Sequence, residues 1–133
     1  MIEVAAALVF DGGKLLITQR PAGTHLSGLW EFPGGKREAS ESFQECLVRE
    51  LREELGVLVR VGGLFHQVTH RYPGKAVYLE FYICALLMSS PRPTAIGCAA
   101  LSWVTMEQLA DYKFPDADQK LLSALNGRSD LWV

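Results

Sequence analysis

Nowhere in the 133 residues is there an apolar run of the roughly 18 residues that a membrane-spanning helix requires. Cysteine is scarce: Cys46, Cys84 and Cys98 are odd in number and far apart, with no C-x-x-C pair. That spacing excludes a disulfide framework or a structural zinc and leaves reduced, half-buried thiols. Charge of one sign is lacking as well. A formal net charge of −2 offers no general attraction to nucleic acid or to an anionic membrane. The opening MIEVAAALVF has no basic segment and no spacer before Asp11, so it reads as a strand and not as a signal peptide. Repeats, linkers and low-complexity stretches are absent too. The expectation is a cytoplasmic globular protein, a monomer or small homo-oligomer, with neither nucleic acid nor membrane as partner.

What is present is enough apolar material for a core. Hydrophobic residues make up 49% of the chain, and its length suits a single domain over residues 1–133. Residues 2–20 read as a β-hairpin about Asp11-Gly12-Gly13. PAGTHLSG is a loop, and LWEFPGGK is a short extended piece ending in Pro33-Gly34-Gly35, which no helix tolerates. Ser42-x-x-Glu45 is a capping box that starts a helix at Phe43, and Gly56 stops it. Phe43, Leu47, Leu51 and Leu55 are its expected apolar stripe. Residues 57–72 and 76–88 alternate as strands around Tyr72-Pro73-Gly74-Lys75, a second hairpin. LSWVT is a short strand, MEQLADY a short helix and DADQKLLSALNG a last helix ended by Gly127. The fold class is α+β, with helices packed on a mixed sheet.

The acid is local. Seven of the fifteen acidic residues fall between positions 31 and 54, and Glu50, Glu53 and Glu54 stand at i, i+3 and i+4 on the central helix. Like charges at that spacing weaken a helix. Ion pairs such as Glu45–Arg49 and Arg49–Glu53 would explain a solvated face, but Glu50 and Glu54 lack a good cationic neighbour on their own side. Carboxylates at the edge of a core call for a hard divalent cation, Mg²⁺ with Mn²⁺ as substitute, which keeps waters and bridges to substrate phosphates.

From Gly35 the chain runs GKREASESFQECLVRELREELGV. This resembles the Nudix box, G-x5-E-x7-R-E-U-x-E-E-x-G-U with U aliphatic, at every fixed position. LITQRPAGTHLSGLWEFPGGK and FPDADQKLL are similar to the flanking segments of the MutT branch, so the resemblance covers roughly residues 1–126. It implies a Nudix α/β/α sandwich, a mixed sheet flanked by helices. It also implies a Mg²⁺-dependent pyrophosphohydrolase that releases pyrophosphate and a nucleoside monophosphate, sanitising the pool of 8-oxo-dGTP-type nucleotides.

The resemblance implies roles residue by residue. Glu50, Glu53, Glu54 and the carbonyl of Gly34 would hold the metal. Arg49 would orient Glu50, the expected general base, with Glu41 behind Arg49. Arg20, His25 and Phe32 would line the base and sugar pocket, and Asp118 takes the place of a base-reading Asn. Arg20 and His25 also have the ordinary reading of solvated loop residues, and Asp118 that of a helix-terminal charge. The chain departs from the family at Gly97, where a further Glu is often found, and Glu31 or Glu80 is the candidate substitute.

Two other functions compete. The same chemistry on a pyrimidine would make the protein a CTP or modified-dCTP pyrophosphohydrolase. A non-catalytic Nudix-like module that reads a damaged base would have lost some metal carboxylates, whereas all three are present. His66 and His70 have no zinc partners in the sequence, Trp30 and Trp103 read as core aromatics, and the tail RSDLWV has no assignment.

Overall fold

The computed structural model describes residues 1–133. Its strands are β1 (Ile2–Asp11), β2 (Lys14–Gln19), β3 (Trp30–Glu31), β4 (Gly34–Lys36), β5 (Val59–Tyr72), β6 (Lys75–Leu86) and β7 (Ala100–Val104). The helices are α1 (Phe43–Leu55) and α2 (Gln119–Asn126). One mixed sheet runs β3-β2-β1-β6-β5, with β4 added to β1 and β7 to β2. Only β1 and β6 are parallel, from Ile2↔Val77 to Val9↔Cys84.

The run Ala5–Val9 is buried without a polar interruption because helices cover both faces of the sheet. Ala5, Ala7 and Val9 point toward α1 and pack with Cys46, Leu47, Leu51 and Leu55. Ala6 and Leu8 point the other way and pack with Leu121 and Leu125 of α2. The result is the expected α/β/α sandwich.

The reading of the elements needs four corrections. The 2–20 hairpin exists only at its tip, where Phe10 faces Leu15 and Asp11 faces Lys14. Beyond that point β4 and β6 take the two edges of β1, and β2 turns to β7 and β3. The short helix in MEQLADY is a single 3₁₀ turn, Gln108–Asp111. The last helix begins with another 3₁₀ turn, Asp116–Asp118, before α2 proper. Phe43 is only half-buried, and Cys46 takes its place in the stripe. Phe43 instead meets Tyr78 edge-on at 5.9 Å, with the Arg37 guanidinium 5.3 Å from its ring centre. The unassigned tail forms a 3₁₀ turn, Ser129–Trp132. Trp132 lies edge-on to Phe10 at 5.1 Å, and its Nε1 donates to the Leu125 carbonyl at 3.1 Å.

No helix is long and apolar enough to cross a membrane.

Candidate active site

The site is built where β4 and α1 meet the start of β1. Gly34 and Gly35 pair with Ala6 and Ala5. A β-carbon on Gly34 would overlap the Ala5 backbone carbonyl, and one on Gly35 would overlap the carboxyl group of Glu50. Two glycines in succession are therefore required by two different neighbours. Helix α1 is fixed at both ends. Ser42 accepts from the Glu45 amide at 3.0 Å while Glu45 accepts from the Ser42 amide at 2.8 Å, and Gly56 closes the far end in the left-handed conformation at φ 67°. The cap alone contributes about 1 kcal/mol, and the rod it anchors carries the acidic cluster.

Arg49 organises that cluster. It grips Glu41 with two bonds, Nη2 to Oε1 at 2.6 Å and Nε to Oε2 at 3.0 Å. Its Nη1 reaches Glu50 at 3.0 Å and Glu53 at 3.4 Å, and Nη2 donates to the Lys36 carbonyl at 3.2 Å. Two-pronged, charge-assisted bonding of this kind is strong and directional. The Arg49 hydrogen bonds hold the Glu41 carboxyl down at about 2. Glu50 therefore does have a cationic neighbour, contrary to expectation, because a long guanidinium reaches an adjacent residue across the helix surface. Burial raises the Glu50 pKa, and Arg49 opposes that rise. Glu45 is occupied by the cap and makes no pair with Arg49.

Glu54 has no such relief. Burial, followed by the charges of Glu50 and Glu31, pushes its carboxyl up to about 8, opposed by the Gly34 backbone amide and Arg20. Gly97 lies over it: a β-carbon there would be 3.3 Å from the Glu54 Cα and Cγ. The position where the family often carries a further Glu is thus beside Glu54, though here it is bare.

Glu54, Gly34 and Gly35 form one end of a cavity of about 350 Å³, within the range of small-ligand sites. Arg20, His25, Phe32 and Asp118 line the same cavity. Arg20 is held by Glu31 at 3.1 Å and by the His25 carbonyl at 2.7 Å. Phe32 stacks on Phe114 at 5.2 Å. Asp118 stands at the N-terminus of α2 as a helix-terminal charge, makes no cap hydrogen bond through its side chain, and also lines the cavity. Burial and the charge of Glu31 raise its carboxyl to about 6. Glu31 is itself raised by burial and lowered by Arg20.

The oxygen-only donor set of Glu50, Glu53, Glu54 and the Gly34 backbone suits a hard divalent cation. No three acidic, His or Cys side chains converge into a ready-made cage. Glu50 and Glu53 turn onto Arg49, and Glu54 sits apart in the cavity.

These features recur in known proteins. The family model of the NUDIX domain matches residues 5–124.

The chain belongs to the Nudix family.

It is a MutT-like Nudix hydrolase, a class that acts on diphosphate bonds and needs a divalent metal. It is 40% identical over 93% of its length to a CTP pyrophosphohydrolase of Escherichia coli K12, of which 90% is covered. It is 33% identical over 94% of its length to an 8-oxo-dGTP diphosphatase of Haemophilus influenzae, of which 91% is covered. The solution structure of the E. coli ORF135 protein superposes with a TM-score of 0.82 at 38% identity, covering 96% of this chain and 90% of that one.

Of the two substitutes for the missing family Glu, Glu31 lines the cavity and Glu80 does not. The Glu80 carboxylate accepts from the hydroxyls of Tyr78 and Tyr82. Sequence reasoning missed His70, Tyr72 and Leu79, which also line the cavity. Strand alternation was the signal, since His70 and Tyr72 share one face of β5, and Val77, Leu79 and Phe81 share one face of β6.

Proposed function

We propose that residues 1–133 act as one domain, a Mg²⁺-dependent nucleoside triphosphate pyrophosphohydrolase of the cytoplasmic nucleotide pool. Its products are a nucleoside monophosphate and pyrophosphate. The observation that carries this reading is a single cavity with Gly34 and Glu54 at one end and Asp118, Arg20 and Phe32 lining the rest.

Bound Mg²⁺, with Mn²⁺ as substitute, supplies phosphoryl polarisation and a water of lowered pKa. Glu50, Glu53, Glu54 and the Gly34 carbonyl would hold it. Glu50, kept in place by Arg49, takes the proton of the attacking water, and Glu41 fixes Arg49 for that task. Arg20, clamped by Glu31, supplies a cation to the substrate beside His25, while Phe32 gives an apolar wall.

Asp118 reads the base, and an 8-oxoguanine nucleotide is the leading substrate. Oxidation at C8 turns N7 from acceptor into donor, and a carboxylate accepts from that donor. A second reading, a cytidine triphosphate, is favoured by the relative named CTP pyrophosphohydrolase. Its exocyclic amine offers the same carboxylate a donor.

A panel of 8-oxo-dGTP, dGTP, dCTP and CTP with Mg²⁺ tests this, reading kcat/KM and products. Orthophosphate with a nucleoside diphosphate as the primary products would contradict the proposed bond choice. Equal rates on all four would leave Asp118 without a reading role.

A further inference from the structure

The main cavity shares part of its wall. Leu26, His70, Tyr72, Pro115 and Ala117 line it and also line a second chamber of about 440 Å³. Beyond that shared wall lie Leu29, Lys113, Phe114 and Asp116. None of Glu50, Glu53, Glu54 or Gly34 borders this chamber.

The wall includes one strained residue. Leu26 has φ 58°, the left-handed region that a side-chain-bearing residue enters at a cost, between the turns of the loop before β3. The Tyr72 ring is held by edge contacts, with His25 at 5.9 Å and His70 at 5.2 Å, and the Lys75 ammonium stands 5.4 Å from its centre. Tyr72 also ends β5 at the hairpin tip, so one contact joins the hairpin to the loop that carries His25.

We propose that the second chamber is a subsite for an aromatic substituent on the exocyclic amine of the nucleobase, admitting adducted nucleotides larger than an oxidised base. This rests on the nucleotide reading of the main cavity. Ala117 borders both chambers and directly precedes Asp118, so a group on the base edge facing Asp118 is directed past Ala117 and Pro115. A secondary amine keeps one N–H for the carboxylate while its substituent passes the wall. The chamber then receives that substituent with apolar surface from Leu29, Phe114 and Pro115. The Lys113 ammonium is available to an aromatic face. The opposite charges of Lys113 and Asp116 give an anionic or cationic substituent no advantage over a neutral ring.

Calorimetry with Mg²⁺ present compares N4-benzyl-dCMP with dCMP, the base whose exocyclic amine faces Asp118. The benzyl form is expected to bind roughly tenfold tighter than its parent, from burial of the ring. Lys113→Trp and Leu29→Trp each fill the chamber, and either is expected to remove that advantage while the parent nucleotide keeps its Kd. A benzyl form that binds no tighter than its parent overturns the proposal, as does an advantage that survives both fillings. Hydrolysis of the parent triphosphates is measured separately, and its absence would count against the pyrophosphohydrolase reading alone.

Discussion

A side chain on Gly35 and the carboxylate of Glu50 would occupy the same space. Glycine at 35 is thus a requirement of the Glu50 carboxylate, whereas glycine at 34 is a requirement of the backbone, because the obstacle there is the Ala5 carbonyl. Gly35→Ala is expected to keep the fold, since a glutamate side chain can swing aside. Turnover should fall roughly a hundredfold through misplacement of Glu50. Gly34→Ala meets main chain that cannot move cheaply, and should lose about 1–3 kcal/mol of stability. Melting curves and kcat measured on both variants separate the two; equal Tm losses would refute the distinction.

Mg²⁺ or Mn²⁺ should stabilise the fold by mass action, by about 2.7 kcal/mol at a hundred times Kd, and so raise Tm. Glu53→Gln and Glu54→Gln should each reduce turnover by roughly two orders of magnitude or more with the fold intact. Hydrolysis that persists unchanged in EDTA would make the acidic cluster a structural feature.

Arg49→Lys conserves charge and loses the two-pronged grip on Glu41. An ammonium cannot hold Glu41, Glu50 and Glu53 in that fan, so the exchange is not conservative. The expected cost is roughly ten- to hundredfold in kcat with a smaller effect on KM. A Glu41 carboxyl that moves up from about 2 toward the ordinary range, followed by NMR titration, would identify the lost contact as the cause.

Asp118 gives a pH signature. Its carboxyl is raised to about 6 by burial and by Glu31, so the folded protein favours its protonated form. The stability this lends is full below the ordinary carboxylate range and is lost as pH rises through about 6. Asp118→Asn stays neutral throughout, so its Tm relative to the wild type should climb between pH 4 and about 7. The same variant should change the ratio of kcat/KM between 8-oxo-dGTP and CTP by roughly tenfold to a hundredfold. A flat Tm difference across that range, with unchanged ratios, would reduce Asp118 to a bystander.

The helix α1 was legible to the residue because its signals are local: a capping box, an apolar stripe and a terminal glycine. The cavity was legible where motif residues line it, as with Arg20, Phe32 and Asp118. What the sequence hid was pairing. Nothing near Leu15 says that β2 will leave β1 for β7, because that choice depends on β4 and β6 claiming the edges of β1. Likewise Glu31 enters the site only because β3 aligns it with Thr18, and Tyr72 only because the hairpin tip reaches His25. The helix-face reading allowed a Glu45–Arg49 pair and left Glu50 without a cation, whereas Glu45 serves the cap and Arg49 reaches Glu50, since side-chain reach across a helix is decided in three dimensions.

The parallel pairing of β1 with β6 sets an order of events during synthesis. Ile2 leaves the ribosome long before its ladder partner Val77, and Val9 waits for Cys84. Helix α1 buries its stripe partly against Tyr82 and Cys84, so it too is made well before its docking surface is complete. Contacts this distant in sequence close slowly and expose apolar strands meanwhile. A nascent chain stalled before residue 75 would carry the whole acidic motif without β6, the strand that joins β1 to β5, and chaperone dependence should peak at that length.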